Sequence, residues 1–412
     1  MSVTLTAEEQ QAPSPLLVSR QPVLDASDRV IGYRISYSLI SDGVPVTPTP
    51  LETAEIVDDV LDVIDPEERV LGNMAHLPLT REMLARHEIP PVDPTQVLLR
   101  VRYDDATDER LAPAVADAVS RGYKLELDEL PGRGFNFELL RHFHAVAIDL
   151  GRWSLEDAGA VLPHLRFRAT VALASGLSSH EQREDARRLG FEWFTGPFFC
   201  TPNMLGGTPM SVGDLQTVVE LCRLQHREVA LEELTAVIEK DLGLSVRLLK
   251  YMNSAYFGFG GRVRSIAQAA TMLGTRGLSR WALIAAALGD SSPVSRELAL
   301  TGLTRARACE LVGQGCDPSL DRDELFTIGL LSTADAVFRM PMQQVVTELP
   351  LEDAVVAALL DRTGPAGVIL TSVIAYENGD FLAPSLGDRL LENSTAYRES
   401  LAWARRAVYG IA

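Results

Sequence analysis

The stretch YKLELDELPGRGFN ends a strand-like run in two adjacent acids, Asp128 and Glu129, followed by a glycine-flanked turn. Catalytic groups in α/β sheets gather at the carboxyl ends of strands, so a metal-dependent phosphodiester hydrolase would hold its carboxylates here. Such a centre needs several oxygen ligands converging on ions about 3.5 to 4 Å apart. Turns and helix N-termini also use Asn, Asp and Glu, and that is the simplest role for Asn73, Asp128, Glu129 and Asp149.

Other chemical signals are weaker. His142 and His144 share a spacing that puts two imidazoles on one strand face, but no cysteine or further histidine is near in sequence, and they read as surface or packing groups. GFGG at 258–261 lacks the Gly-Lys-Ser/Thr of a phosphate loop and reads as a turn. Ser175 and Ser178 have no nucleophile-elbow glycines around them. Cys200, Cys222, Cys309 and Cys316 form no CxxC pair and read as isolated buried thiols.

The elements that must position these groups divide the chain in two. From Leu16 to about Met204, short β-rich runs alternate with amphipathic stretches. Val97–Tyr103, Tyr123–Leu130, Ala145–Asp149 and Ala169–Ala174 read as strands. APAVADAVSRG and SSHEQREDARRLG read as crossover helices closed by Gly122 and Gly190. This alternation predicts a parallel sheet, open or closed into a barrel. The Pro-, Gly- and Thr-rich TPNMLGGTPMSVG places a boundary near 201–213. Beyond it the pattern is helical, as in TRGLSRWALIAAALG, where Leu278, Trp281, Ala282, Ala285 and Leu288 share one face behind Thr275 as a candidate N-cap. The expected organisation is a tail at 1–15, an α/β domain at 16–204, a linker at 205–213 and an all-α domain at 214–412.

Composition narrows the partners. The 412 residues exceed what one core usually holds, and 46% hydrophobic with 23% charged residues reads as globular. The net charge is −18; residues 1–210 carry 19 basic against 32 acidic side chains (−13), and the remainder 19 against 24 (−5). Neither half offers the positive field that a phosphate backbone needs, so direct nucleic-acid binding is not expected. The opening MSVTLTAEEQQAPSP lacks a secretory pattern, and the longest apolar run, Trp281–Leu288, is far short of a membrane span. The expectation is a cytoplasmic protein without membrane insertion.

These residues, taken in order, resemble an EAL-type cyclic di-GMP phosphodiesterase domain, in the shortened form found in EAL-HDOD fusion proteins. In RQPVLDASDRVIGYRISYS the family's Gly-x-Glu-Ala-Leu-x-Arg becomes Gly32 to Ser38, which puts Arg34 at the metal-binding Glu and Ser38 at the substrate-binding Arg. Asn73 matches a metal-ligand asparagine, Arg100 stands where the family has an acid, and LELDEL keeps Asp128 but has Glu129 for the second Asp. In AVAID the catalytic lysine becomes Ala147, and in ASGLSS two glutamates become Ser175 and Ser178; Thr195 stands before GPFFCTP where the family has Gln. The resemblance therefore implies a degenerate TIM-like (β/α) barrel that cannot hold Mg²⁺, since serine and arginine supply no anionic oxygens.

The second half resembles an HDOD domain through LEELTAVIEKDLGLSVRLLKYMNSAYFG at 231–258, the SIAQAATMLG run, GLSRWALIAAAL and ELFTIGLLSTADAVF at 324–338. Such domains look like HD-type phosphohydrolases without their metal site, and no histidine follows His226 to rebuild one. The resemblance implies a non-catalytic signalling scaffold needing no cofactor. Its partner is an unidentified signalling protein or a second copy of the chain, met through a surface at Asn253, Ser254 and Phe257. An alternative is a sensor that binds a nucleotide or other anion, without cleaving it, at Arg34, Asn73, Arg100, Asp128, Glu129 and Asp149. Residual cyclic di-GMP hydrolysis is the third reading.

Overall fold

The computed structural model describes residues 16–64, 72–132, 134–203, 265–287, 293–349 and 351–411, with isolated residues between 231 and 263. The tail, the linker, Asn253, Ser254, Phe257 and the GFGG turn lie outside the described residues.

Among the described residues nine strands form one sheet: β1 (Leu16–Asp25), β2 (Val30–Ser41), β3 (Val44–Val46), β4 (Met74–Pro78), β5 (Val97–Arg102), β6 (Lys124–Asp128), β7 (Ala145–Asp149), β8 (Val171–Ser175) and β9 (Trp193–Thr195). From β2 through β4 to β9 the strands run parallel, and β1 is antiparallel to both β2 and β9. Pairing of β1 with both neighbours closes the ring at eight strands, with β3 hanging from β2 outside it. The barrel thus closes through a reversed first strand, a detail that β/α alternation alone does not predict.

Connections are short, which is how the ring fits into so few residues. The crossovers use α1 (Pro50–Leu61), α2 (Arg81–Arg86), α3 (Tyr103–Ala106), α4 (Ala112–Ser120), α5 (Leu155–Phe167) and α6 (His180–Leu189). Between β6 and β7 a single 3₁₀ turn, Phe137–His142, does the work of a helix. Thr49 caps α1 in a reciprocal box with Glu52, and Gly190 ends α6 at φ 105°.

Alternation decides what faces the axis. On β6, Leu125 and Leu127 are buried outward beneath the helices, so Glu126 and Asp128 point into the ring. Val23, Ala147 and Leu173 pack inside with Ile31 and Trp193, and a tilted His76–Trp193 pair sits 5.8 Å apart. Gly32 makes room for this lining, because a Cβ there would lie 2.4 Å from the Met74 carbonyl and 3.2 Å from His76 Nε2.

The helical half contains α7 (Ile266–Ala287), α8 (Pro293–Cys316), α9 (Arg322–Leu331), α10 (Ala334–Phe338), α11 (Met342–Glu348), α12 (Asp353–Leu360), α13 (Gly364–Glu377) and α14 (Leu390–Ile411). Helix α7 breaks at Gly274 (φ 67°, ψ 175°), so Thr275 opens its second segment. The apolar stretch Asp353–Glu377 is two helices, because Arg362 at φ 58° and Gly364 at φ 72° reverse the chain between α12 and α13. Their 8 and 14 residues are each shorter than the roughly 20 that cross a bilayer. Of the cysteines expected to be buried, Cys309 is, Cys316 is exposed, and Cys222 lies outside the described residues.

The two halves are packed together. Beyond the ring, β1 pairs with β9 only at Val23–Asp25, so residues 16–22 and their partners on β2 project from the mouth as a two-stranded ribbon. The free edge of β1 is satisfied by the helices: Val18 N donates to Tyr376 Oη at 3.1 Å, Arg20 N to Tyr397 Oη at 3.4 Å, and Ser394 Oγ donates to the Leu16 carbonyl at 2.8 Å. On the outer face, Arg20 lies 4.0 Å over the Tyr33 ring and pairs with Glu297 at 3.2 Å, while Tyr33 Oη donates to Glu297. Arg405 of α14 donates to the carbonyls of Asp62 and Val63 just past α1, where a cation complements the helix dipole. An edge strand that would otherwise recruit another chain is covered by the same polypeptide.

Candidate functional site

Inside the mouth, side chains from four neighbouring strands form one charge network. Arg34 on β2 bonds Glu126 at 2.9 Å and Asp128 on β6. His76 Nδ1 on β4 lies 2.7 Å from the other Glu126 oxygen. Arg100 on β5 donates to the Ile35 carbonyl at 2.7 Å and stands 3.6 Å from Asp128. Register makes this inevitable once the strands pair, because Arg34 sits opposite His76 and Arg100 opposite Glu126.

The network is deep. Glu126 is wholly buried and Arg34 has 12% of its side chain exposed. Burial pulls the Glu126 carboxyl upward, yet Arg34, His76 and Arg100 outweigh it and hold its pKa at about 2. Burial works against the Arg34 charge too, but Asp128 and Glu126 more than offset it and its pKa rises. Burial lowers the Arg100 pKa and the Arg34 charge adds to that, with Asp128 and Glu126 compensating only in part. The Nε atoms of Arg34 and Arg100 have no hydrogen-bond acceptor among the described residues.

A pH dependence follows. The Glu126 pKa is depressed from 4.5 to about 2, so its contribution to stability is complete above the unfolded value and drains away as pH falls from about 5 toward 2. The amount is on the order of 3 kcal/mol. Urea titrations at pH 7, 5, 4 and 3 should show this decline in the parent and a flatter profile in Glu126→Gln. Parallel profiles would contradict the assignment.

The structure redistributes the residues expected from sequence. Arg34, Arg100 and Asp128 converge in the network. Asn73 does not: it precedes β4 at the strand's N-terminal end, about 10 Å of chain from His76, which occupies the position beside Arg34. Glu129 turns away into solvent at φ 54°, its N–H donating to Asp128 Oδ1 at 3.0 Å, because adjacent residues of a strand cannot share a face. Asp149 accepts from Gly151 N at 2.9 Å and pairs with Arg152, so it serves its own turn. Sequence reasoning missed Glu126 and His76. The signal for Glu126 was present, since in LELDEL the acids two apart share a face and the adjacent ones do not.

The remaining candidates keep structural roles. His144 stacks near Trp193 at 5.8 Å, His142 accepts from Arg141 Nε, and Ser178 bonds Gln182. In the helical half, Arg305 forms a bidentate pair with Glu377 at 2.7 and 2.9 Å and donates to Ser332 Oγ at 3.4 Å. Burial opposes the Arg305 charge, but the Glu377 carboxylate dominates and its pKa rises. Burial pushes the neighbouring Cys309 thiol up to about 12.

A divalent-ion centre does not fit these residues. The space between Glu126 and Asp128, where two carboxylates converge, is taken by the Arg34 guanidinium, with Arg100 beside it. A metal ion would have to displace one cation and tolerate a second. Among the described residues, no group of three or more His, Cys, Asp or Glu side chains is placed to hold a metal ion.

The molecule is a small barrel closed by an antiparallel strand and joined to a helical half. Residues 211–349 match the HDOD domain family, and α12, α13 and α14 lie beyond the match. The chain resembles proteins that join an EAL-like barrel to an HDOD domain. It is 24% identical over 402 residues to the uncharacterized protein YuxH of Bacillus subtilis, covering 94% of this chain and 98% of that one. It is 27% identical over 378 residues to the cyclic di-GMP phosphodiesterase CdgJ of Vibrio cholerae, covering 88% and 85%. Among solved structures, the Bacillus subtilis YkuI protein with an EAL domain is 14% identical over 55% of this chain and 69% of that one, with a TM-score of 0.34.

Proposed function

We propose that this protein is a non-hydrolysing regulator in cyclic di-GMP signalling, in which an EAL-like barrel supports a helical half that meets protein partners. One observation carries the reading: the Arg34 guanidinium bridges Glu126 and Asp128, where a hydrolase would need a divalent ion. Ala147, Ser175 and Ser178 add no lysine or carboxylate to the mouth. The relative named as a phosphodiesterase supplies the signalling context. The partner is a signalling protein or another copy of the chain, and no cofactor, nucleic acid or membrane insertion enters the mechanism.

The test is turnover. Protein at high micromolar concentration, incubated with cyclic di-GMP and either Mg²⁺ or Mn²⁺, should release no linear dinucleotide above a protein-free control. Metal-dependent product that vanishes in Asp128→Asn would overturn the proposal. A second reading, ligand sensing without cleavage, is favoured by the two buried Nε donors of Arg34 and Arg100 that lack acceptors among the described residues. Calorimetric titration of cyclic di-GMP distinguishes the two, since only the sensor gives saturable heat without product.

A further inference from the structure

The helical half does more than cover the outer face of the β1–β2 ribbon, because one of its turns reaches round the β1 edge to the inner face. Ser19, Gln21 and Ser36 face the same side as Arg34: Gln21 is opposite Arg34 in the ladder and Ser19 is opposite Ser36. The chain leaving α13 lies against them. Gln21 Nε2 donates to the Asn378 carbonyl at 3.2 Å. Gly379 adopts φ 75°, and a Cβ there would stand 2.7 Å from Ser36 Oγ and 3.0 Å from Ser19 Oγ. Only glycine allows the backbone both that conformation and that approach.

The turn is held from behind. Gly379 N donates to the Tyr376 carbonyl at 2.9 Å and Asp380 N to Ala375 at 3.1 Å, which ends α13 in a fixed geometry. Glu377 is clamped by Arg305, and Tyr376 is anchored on Val18. On the barrel side, by contrast, one side-chain hydrogen bond among the described residues holds the turn, next to a cavity of about 30 Å³ lined by Gln21, Glu297, Thr304, Glu377, Asn378 and Tyr397. One surface is rigid and the other is lightly fastened, which suits local opening without loss of the domain interface.

We propose that the Glu377–Gly379 turn is a lid laid by the helical half over the barrel mouth, fastened by Gln21 to Asn378. A solute that approaches Arg34 along the inner face of the β1–β2 ribbon has to part that fastening. The inference concerns access to the mouth and does not depend on whether the mouth hydrolyses, binds or does neither.

The test uses the full chain with Ser36→Cys as a reporter and Cys222 and Cys316 replaced by serine. Thiol modification of Cys at 36 should run at least about tenfold slower than that of the native, exposed Cys316 in the parent chain, because only the open fraction reacts. Adding Gln21→Ala should speed it about fivefold, the worth of one hydrogen bond. A reporter that reacts as fast as Cys316, or a rate that Gln21→Ala changes by less than about twofold, overturns the lid. If circular dichroism shows that Ser36→Cys does not fold, Ser19→Cys, whose side chain also lies against Gly379, serves as the reporter with the same two outcomes.

Discussion

Replacing Arg34 by alanine should lower stability by about 3 to 5 kcal/mol, the cost of stripping buried carboxylates of their cation. Glu126 is wholly buried and Asp128 is 20% exposed, so water cannot take over the charge that Arg34 neutralises. Arg100 does not substitute, because it stands 3.6 Å from Asp128 and spends its short hydrogen bond on the Ile35 carbonyl. Arg34→Lys should fall between parent and alanine, since one ammonium cannot reproduce the fork that reaches both acids. Combining Arg34→Met with Glu126→Gln and Asp128→Asn should recover most of the loss, because a neutral set needs no partner. Urea unfolding of the four proteins measures all of this. An Arg34→Ala variant within about 1 kcal/mol of the parent would show that the network does not hold the barrel together.

The second large effect is expected from cutting the chain after Asn203. The ribbon carries Leu16, Leu17 and Val18, each 7% exposed or less, on a segment that no longer has β9 beside it. Uncovering those three side chains costs roughly 5 to 9 kcal/mol, which is comparable to the 5 to 15 kcal/mol that typically holds a whole domain. It also frees the edge groups of Leu16, Val18 and Arg20 now bonded to Ser394, Tyr376 and Tyr397. Residues 1–203 alone should therefore aggregate or lack a cooperative thermal transition, while the full chain unfolds in one step. A soluble, cooperatively melting fragment would show that the barrel stands without its helices.

This dependence also bears on where one domain ends. The HDOD match stops at Leu349, yet the contacts that finish the β1 edge come from α13 and α14, beyond it. Those helices belong to the barrel as much as to the helical core. A cut placed by composition at the Pro- and Gly-rich stretch separates two patterns of sequence, and the packing then rejoins them.

The candidate site was legible to the extent that strand alternation and strand ends carry it. Asp128, named from its strand end, and Arg34 and Arg100, named through the family resemblance, do meet. Asn73 and Glu129 were named as well, and each lies on the wrong end or face of its strand, because a motif match fixes residue type but tolerates small shifts in register. His76 could not be singled out by type. Its role depends on Gly32, which pairs with Met74 two residues along, and whose missing Cβ leaves the ring its space.

The sequence alone settled the residue chemistry available: β/α alternation followed by helices, no histidine past residue 226, and arginine, alanine and serine where anionic or lysine groups would be needed. Those facts depend only on local pattern and on which atoms each side chain owns. Tertiary structure decided how Glu126 and His76 join the arginines, that a reversed β1 shuts the ring, and that α13 and α14 finish its edge. Such outcomes rest on pairing between segments up to 378 residues apart, where hydrogen-bond geometry and burial choose the partner and no neighbouring residue records the choice.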